Sequence, residues 1–120
     1  MIGKLADNIF YFFNGPAKLL YKKLKASESS QVCIYGAGEI GQALLQEIRA
    51  HGKLTIHSIV DRKAEYLQTE LEGFTLQPPH TLKTLPREVV VAIASEAFLD
   101  EIIARIKRET SNTPPTVVHL

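Results

Sequence analysis

Apolar positions along the chain follow two rhythms, a helical spacing of three and four residues and short unbroken runs rich in β-branched side chains. Residues 2–13 set Ile2, Leu5, Ala6, Ile9, Phe10, Phe12 and Phe13 at helical spacing with a broad apolar face. Asn14-Gly15-Pro16 interrupts that stripe, since glycine and proline disfavour helix interiors and proline suits a first turn. A second amphipathic run puts Leu20, Tyr21 and Leu24 on one side and lysines around the other. Lys25 to Ser30 is polar, and a boundary there divides a basic helical arm, residues 1–26, from a domain over residues 31–120.

In that domain, Gln31 to Tyr35 reads as a short buried strand, and Gly36-Ala-Gly-Glu-Ile-Gly41 follows it directly. Ile40, Ala43, Leu44, Ile48 and Ala50 continue at helical spacing until His51-Gly52 stops the helix. Leu54 to Val60 is a second strand, ending at Asp61-Arg62. Residues 63–71 fit a short helix or a loop, residues 73–76 a brief strand stopped by Pro78-Pro79, and residues 81–85 one helical turn closed by Pro86. Glu88 to Ala94 is apolar without alternation, the mark of a strand buried on both faces in a helix-covered parallel sheet. Ser95 is placed as the cap of a helix over 96–109, with Phe98, Leu99, Ile102, Ile103 and Ile106 turned inward. Thr116 to Leu120 is a last strand. The alternation of strands and helices predicts an α/β fold: a single small Rossmann-like, doubly wound parallel sheet of four to five strands, preceded by amphipathic N-terminal helices.

Composition narrows the setting. The 120 residues suit one domain, 45% apolar and 22% charged, and the net charge of +1 gives no bias toward nucleic acid. That sum hides an asymmetry: five lysines against Asp7 give residues 1–26 a charge of +4, and the rest carries −3. The single cysteine, Cys33, excludes an internal disulfide and reads as a buried structural thiol. With no signal peptide evident, the expectation is a reducing, cytoplasmic location. No apolar stretch approaches the roughly 20 residues of a membrane-spanning helix.

The chemistry concentrates in the glycine turn. Gly36 allows a sharp exit from the strand, Gly38 lets a pyrophosphate approach the backbone, and Gly41 lets the helix pack closely on the sheet. A helix starting near Gly38 aims free N–H groups and the positive end of its dipole at an anion. Asp61 follows Gly41 by 20 residues and ends the next strand, where a carboxylate can accept hydrogen bonds from a ribose diol. Three glycines in six residues recur in many tight turns, so an empty Rossmann-like scaffold is the plain alternative. Here the turn has the required context of strand, helix, second strand and terminal acid. Glu39 lies in the turn and either avoids the phosphates or stabilises the helix start. Arg62 keeps NADP open beside NAD, which is the first choice. Ala94 and Ser95 close the Glu88–Ala94 strand at the edge where such sheets bind ligands, with Ser95 either a helix cap or a ligand-facing hydroxyl.

No catalytic residue can be assigned. The four histidines (His51, His57, His80, His119) have no metal-ligand spacing. Tyr21 and Lys25 match a Tyr-x-x-x-Lys spacing but precede the glycine turn on a basic helix, so the match reads as coincidence.

Val32 to Gly41, Ile59-Val-Asp61, Gly73-Phe-Thr-Leu76 and Val89 to Ala94 together resemble the N-terminal nucleotide-binding domain of polysaccharide-biosynthesis nucleotide-sugar dehydratases and epimerases. The layout is also similar to the small N-terminal domain of sugar O-acyltransferases. The resemblance spans residues 31–120 and implies that Gly36, Ala37, Gly38, Ile40, Gly41 and Asp61 contact a nucleotide. The catalytic domains of both families have no counterpart in these residues. The resulting expectation is an NAD(P)- or nucleotide-sugar-binding domain acting as a binding or regulatory module without its own catalytic domain. The alternatives are a nucleotide-sugar oxidoreductase completed by a partner or second copy, and a structural adaptor with a vacant site. For residues 1–26 three readings compete: packing on the domain or in a homodimer, contact with the inner membrane surface, and a link to a larger biosynthetic partner.

Overall fold

Gln31–Tyr35 forms strand β1, with bounds as the apolar pattern predicts. The computed structural model describes residues 15–120, and the helix expected over residues 2–13 lies outside them. β1 stands between β2 (Thr55–Val60) and β5 (Val89–Ile93) and pairs with both in parallel. A short β6 (Val117–Val118) pairs with β5, so the sheet order is β2-β1-β5-β6. The chain thus builds outward from β1 in one direction and then crosses back to continue on its other side. Sheets wound in this way leave a crevice at the carboxyl ends of the two strands where the order reverses, here β1 and β5.

Side chains alternate across the sheet and define two cores. On one face Val32, Ile34, Val90 and Ala92 meet Leu44, Leu45 and Ile48 of helix α2 (Glu39–His51). Helix α1, residues 15–26, adds Ala17, Leu20, Tyr21 and Leu24 to that same core. Tyr21 stacks on His51 at 4.4 Å between ring centroids, and Lys23 Nζ donates to the His119 carbonyl at 2.6 Å. Over the described stretch, residues 17–24 thus form a layer on the α2 side of the sheet. On the other face Cys33, Tyr35, Val89, Val91 and Ile93 meet Leu82 and Ile106. Those two come from a 3-10 segment, Pro79–Thr84, and helix α3 (Leu99–Glu109). All five residues of β5 are buried, as a strand covered on both faces requires.

Between β2 and β5 the chain forms a 3-10 turn, Arg62–Glu65, and a hairpin of β3 (Glu70–Leu71) and β4 (Phe74–Thr75). Glu72 at the hairpin tip adopts left-handed backbone, φ 47°. Its carboxylate accepts hydrogen bonds from Gln46 and Arg49, which pins the hairpin to α2.

Some boundaries differ from the pattern. The helix expected over 96–109 starts only at Leu99, because the Ser95 hydroxyl accepts the Phe98 N–H at 3.3 Å and holds residues 96–98 in a separate turn. Phe98, expected inward, is 56% exposed. β2 carries a bulge at His57, where the register moves from Val32 opposite Ile56 to Cys33 opposite Ser58.

Candidate functional site

The glycine turn joins β1 to α2, and its three glycines answer to different constraints. Gly36 has φ +118°, a conformation L side chains rarely adopt, and a Cβ there would meet the Ala94 carbonyl at 3.0 Å. Gly41 is buried in the first turn of α2, where a Cβ would stand 1.9 Å from the Gly36 carbonyl oxygen. The turn folds back over the helix start, and only a residue without a side chain fits beneath it. Gly38 is different: nothing lies within 4 Å of a Cβ built there. Its missing side chain leaves room on the open side of the turn.

That open side is a cleft of about 830 Å³ at the carboxyl ends of β1, β2 and β5. Its size lies within the roughly 300–1,000 Å³ of small-molecule sites. Gly36, Ala37, Gly38, Glu39 and Ile40 form one wall. Asp61 and Arg62 form a second, and Ala94 and Ser95 a third. The sequence-predicted residues are thus gathered around one cavity, with Gly41 lying underneath rather than on its surface. The first rung of α2 is the Gln42 N–H donating to the Gly38 carbonyl at 2.9 Å, so the amides before it have no partner within the helix. Those donors, with the positive end of the helix dipole, suit an anion.

Asp61 is more occupied than its place at a strand end implies. One carboxylate oxygen accepts the Ala37 N–H at 2.8 Å and the other accepts the Lys63 N–H at 2.9 Å. The side chain thereby ties the glycine turn to the start of the 3-10 segment, while a carboxylate with about four acceptor sites keeps capacity for a hydroxyl. Ala37 has both backbone groups engaged, since its carbonyl also accepts from Gln42 Nε2 at 3.1 Å. Its amide is not free for a phosphate. Ser95 has the turn role just described and also lines the cleft.

The remaining wall was not foreseen. Phe98, Glu101, Arg105 and Arg108 line the cleft along α3 and the turn before it. They recur at spacings of three, four and three, a second helical stripe beside the inward Leu99, Ile102, Ile103 and Ile106 set. That stripe was the available signal, but mixed charge on it reads as an ordinary solvated face. Arg105 Nη1 donates to Glu65 at 2.9 Å and its Nε to Glu109 at 2.7 Å, which joins α3 to the segment after β2. Arg105 and Lys83 together hold the Glu109 carboxyl below the usual carboxylate range, with Arg105 the larger influence. Burial pushes the Tyr35 phenol up, and the Arg105 charge opposes that shift. Cys33 lies fully buried in the sheet, where burial raises its thiol to about 11, so it takes no part in the cleft. Tyr21 packs in the α1 core with Lys25 Nζ 6.0 Å from its ring, and neither residue lines the cleft.

The arrangement can hold an anion at the helix start, a hydroxyl-rich group beside Asp61 and a flat apolar group near Phe98. Among the described residues no helix is long and apolar enough to cross a membrane.

A model of the C2185-like, N-terminal family matches residues 28–113. No curated protein matches the chain in sequence. Among solved structures, RSP in complex with beta-NADH matches with a TM-score of 0.55 and 12% identity, over 86% of this chain and 61% of that one. RSP described as a Rex-family repressor matches with a TM-score of 0.57 and 12% identity, over 99% of this chain and 60% of that one. The chain thus spans about three-fifths of the length of these neighbours, and the likeness shows a common Rossmann-like fold. The nucleotide-sugar side of the expectation draws no support from them.

Proposed function

The chain belongs to the C2185-like, N-terminal family, and from that footing we propose that it is a nucleotide-binding module with NAD(H) as its ligand, regulatory rather than catalytic. The observation that carries this reading is the meeting of an unobstructed helix start at Gly38 with the Asp61 carboxylate in one cleft. A diphosphate would sit against the amides at the start of α2, and a ribose diol would donate to Asp61. The solved neighbour bound to beta-NADH gives the ligand class its support, and the repressor description of its relative supports a regulatory role. Repression itself is not carried over from proteins of which two-fifths is unmatched. Asp61 beside the site favours NAD over NADP, because a 2′-phosphate would lie against a carboxylate.

The test is thermal melting with NAD⁺, NADH, NADP⁺ and UDP-glucose, repeated on Gly38→Val. Ligand at 100 times its Kd contributes about 2.7 kcal/mol, a rise of roughly 10 °C for a domain of this size. We expect NAD⁺ and NADH to raise the melting point of the native chain and NADP⁺ to do so less. Gly38→Val should lose about 1 kcal/mol of stability as an N-cap change yet lose the whole ligand effect, since its side chain enters open space where the diphosphate belongs. Native melting unmoved by all four ligands overturns the proposal.

A further inference from the structure

We propose that the outer face of α1 docks on an anionic phospholipid surface. Helices α2 and α3 carry mixed charge, with Glu39 and Glu47 beside Arg49 on the first and three acids against three bases on the second. Helix α1 departs from that pattern. Over residues 15–26 it has four lysines and no acid. Its rotation about its own axis is fixed by the core, since Ala17, Leu20, Tyr21 and Leu24 are at most 5% exposed. The opposite side must face outward, and Lys18, Lys22 and Lys25 are exposed there. Spacings of four and three set these lysines in one row along the helix. Lys23 stands apart from the row, donating to the His119 carbonyl. Among the described residues, the ion pairs of the fold involve none of Lys22, Lys23 and Lys25.

A lysine in the last turn of a helix complements the helix dipole, but that effect does not reach back to Lys18. Apolar groups accompany the charge. Leu19, next to Lys18, is 45% exposed, and the sequence leading into α1 places Ile9, Phe10, Phe12 and Phe13 just before the lysines. Lysines bordering aliphatic and aromatic side chains suit the headgroup boundary of a bilayer, where ammonium groups meet phosphate and apolar groups enter the acyl edge. Nucleic acid would satisfy the lysines but give Leu19 no apolar cover. Residues 15–26 also contain no arginine, asparagine or glutamine to read a base edge. No residue of α1 lines the cleft, so the two surfaces share no residue and the inference stands apart from the nucleotide reading.

Co-sedimentation of the full chain with vesicles tests this, using phosphatidylcholine alone and an equal mixture with phosphatidylglycerol. A DNA duplex titrated in the same buffer is the competing anion. The native chain should bind the anionic vesicles at low salt, bind phosphatidylcholine far less, and weaken as salt rises to about 0.5 M and screening shortens to roughly 4 Å. Each lysine near such a surface accounts for about fivefold in binding. Lys22→Gln combined with Lys25→Gln should therefore weaken vesicle binding roughly twenty-five-fold, whereas Lys22→Arg with Lys25→Arg keeps it. The glutamine pair should melt close to the native chain, because both positions are exposed and glutamine matches lysine as a helix former. Should it melt early, the lipid and salt comparisons on the native chain still decide. No vesicle binding at low salt, equal binding to both lipid mixtures, or a folded glutamine pair that binds as the native chain does would overturn the proposal. Tighter binding to the DNA duplex than to anionic vesicles would overturn it in favour of a nucleic-acid face.

Discussion

Replacing Gly41 with alanine tests the geometry on which the whole turn depends. The new Cβ would stand 1.9 Å from the Gly36 carbonyl oxygen and 2.9 Å from its carbonyl carbon. Ordinary contact begins at roughly 3.4 Å, and both obstructing atoms are backbone, so no side chain can swing away. Either α2 moves off the sheet, loosening Leu44, Leu45 and Ile48, or the turn opens and strains the contact of Gly36 with Ala94. Forced overpacking of this kind costs about 1–3 kcal/mol and at times more. Alanine also returns something: it is better than glycine in a helix by about 1 kcal/mol. A clash with backbone lies at the upper end of the overpacking range, so the net loss should be about 1–3 kcal/mol, a fall of roughly 4–12 °C in melting point. The measurement is thermal and urea unfolding followed by circular dichroism, with Gly38→Ala as the paired control. The control meets nothing within 4 Å but exchanges a glycine N-cap for alanine, so it should lose no more than about 0.5–1 kcal/mol and melt above Gly41→Ala. If Gly41→Ala melts with its control, the close approach of turn and helix does not exist and the account of the three glycines fails.

Other outcomes follow from single groups. Asp61→Ala removes the acceptor of two backbone N–H groups, which should cost about 1–3 kcal/mol and speed hydrogen exchange at the Ala37 amide; unchanged exchange there would refute the tie between turn and β2. Cys33, with its thiol raised to about 11 by burial, should resist an aromatic disulfide reagent at pH 8 until the chain is denatured, and rapid labelling of the native protein would contradict that burial. Because the folded thiol keeps its proton while the unfolded thiol ionises from about 9, stability should fall as pH rises from 9 toward 11, by on the order of 2–3 kcal/mol. Cys33→Ala should flatten part of that alkaline fall, and the remainder is assigned to Tyr35, which is shifted the same way by burial. Glu109, held low by Arg105 and Lys83, acts in the opposite direction: its contribution is present above the ordinary carboxylate range and lost as pH falls, so Arg105→Met should reduce the acid sensitivity of melting.

The strands flanking the site were legible because their patterns admit one reading each. Val32–Tyr35 and Val89–Ile93 are continuous apolar runs, and the structure places their strands side by side at the centre of the sheet. The glycine turn was legible for the same reason, since strand, glycines, helix and acid stand in fixed order. What escaped was decided by local competition or by distance in sequence. Nothing in Ser95-Glu-Ala-Phe98 says whether the serine hydroxyl caps a helix at once or closes a turn first, and that choice rotates Phe98 from core to cleft. Apolar periodicity treats the ring as buried because it cannot see that the helix starts three residues later than expected. Arg105 escaped for another reason: Glu109 is its i+4 neighbour on α3, but Glu65 reaches it only through the crossover of β2 and β5 around β1. Tyr21 and Leu24 read correctly as one apolar face, but a face does not name what it covers. The strand order does, since it leaves part of the α2 side of the sheet for α1 to cover.

Asp61 shows why sequence spacing alone cannot separate scaffold from site. The same carboxylate that a nucleotide reading assigns to a ribose is, within the fold itself, already the acceptor of two amides. A purely structural Asp61 would explain the acid at the strand end without any ligand, because it joins the turn after β1 to the segment after β2. Two further features weigh against that sufficiency. The space in front of Gly38 is open, unlike the tight contacts at Gly36 and Gly41, and a Cβ there would meet nothing within 4 Å. Phe98 likewise gives the core nothing by being exposed. Both positions line one cleft, with Asp61 beside them. An acid that first fixes the shape of the turn and then receives a hydroxyl reconciles both roles, and it predicts that loss of Asp61 damages binding more than loss of stability alone accounts for.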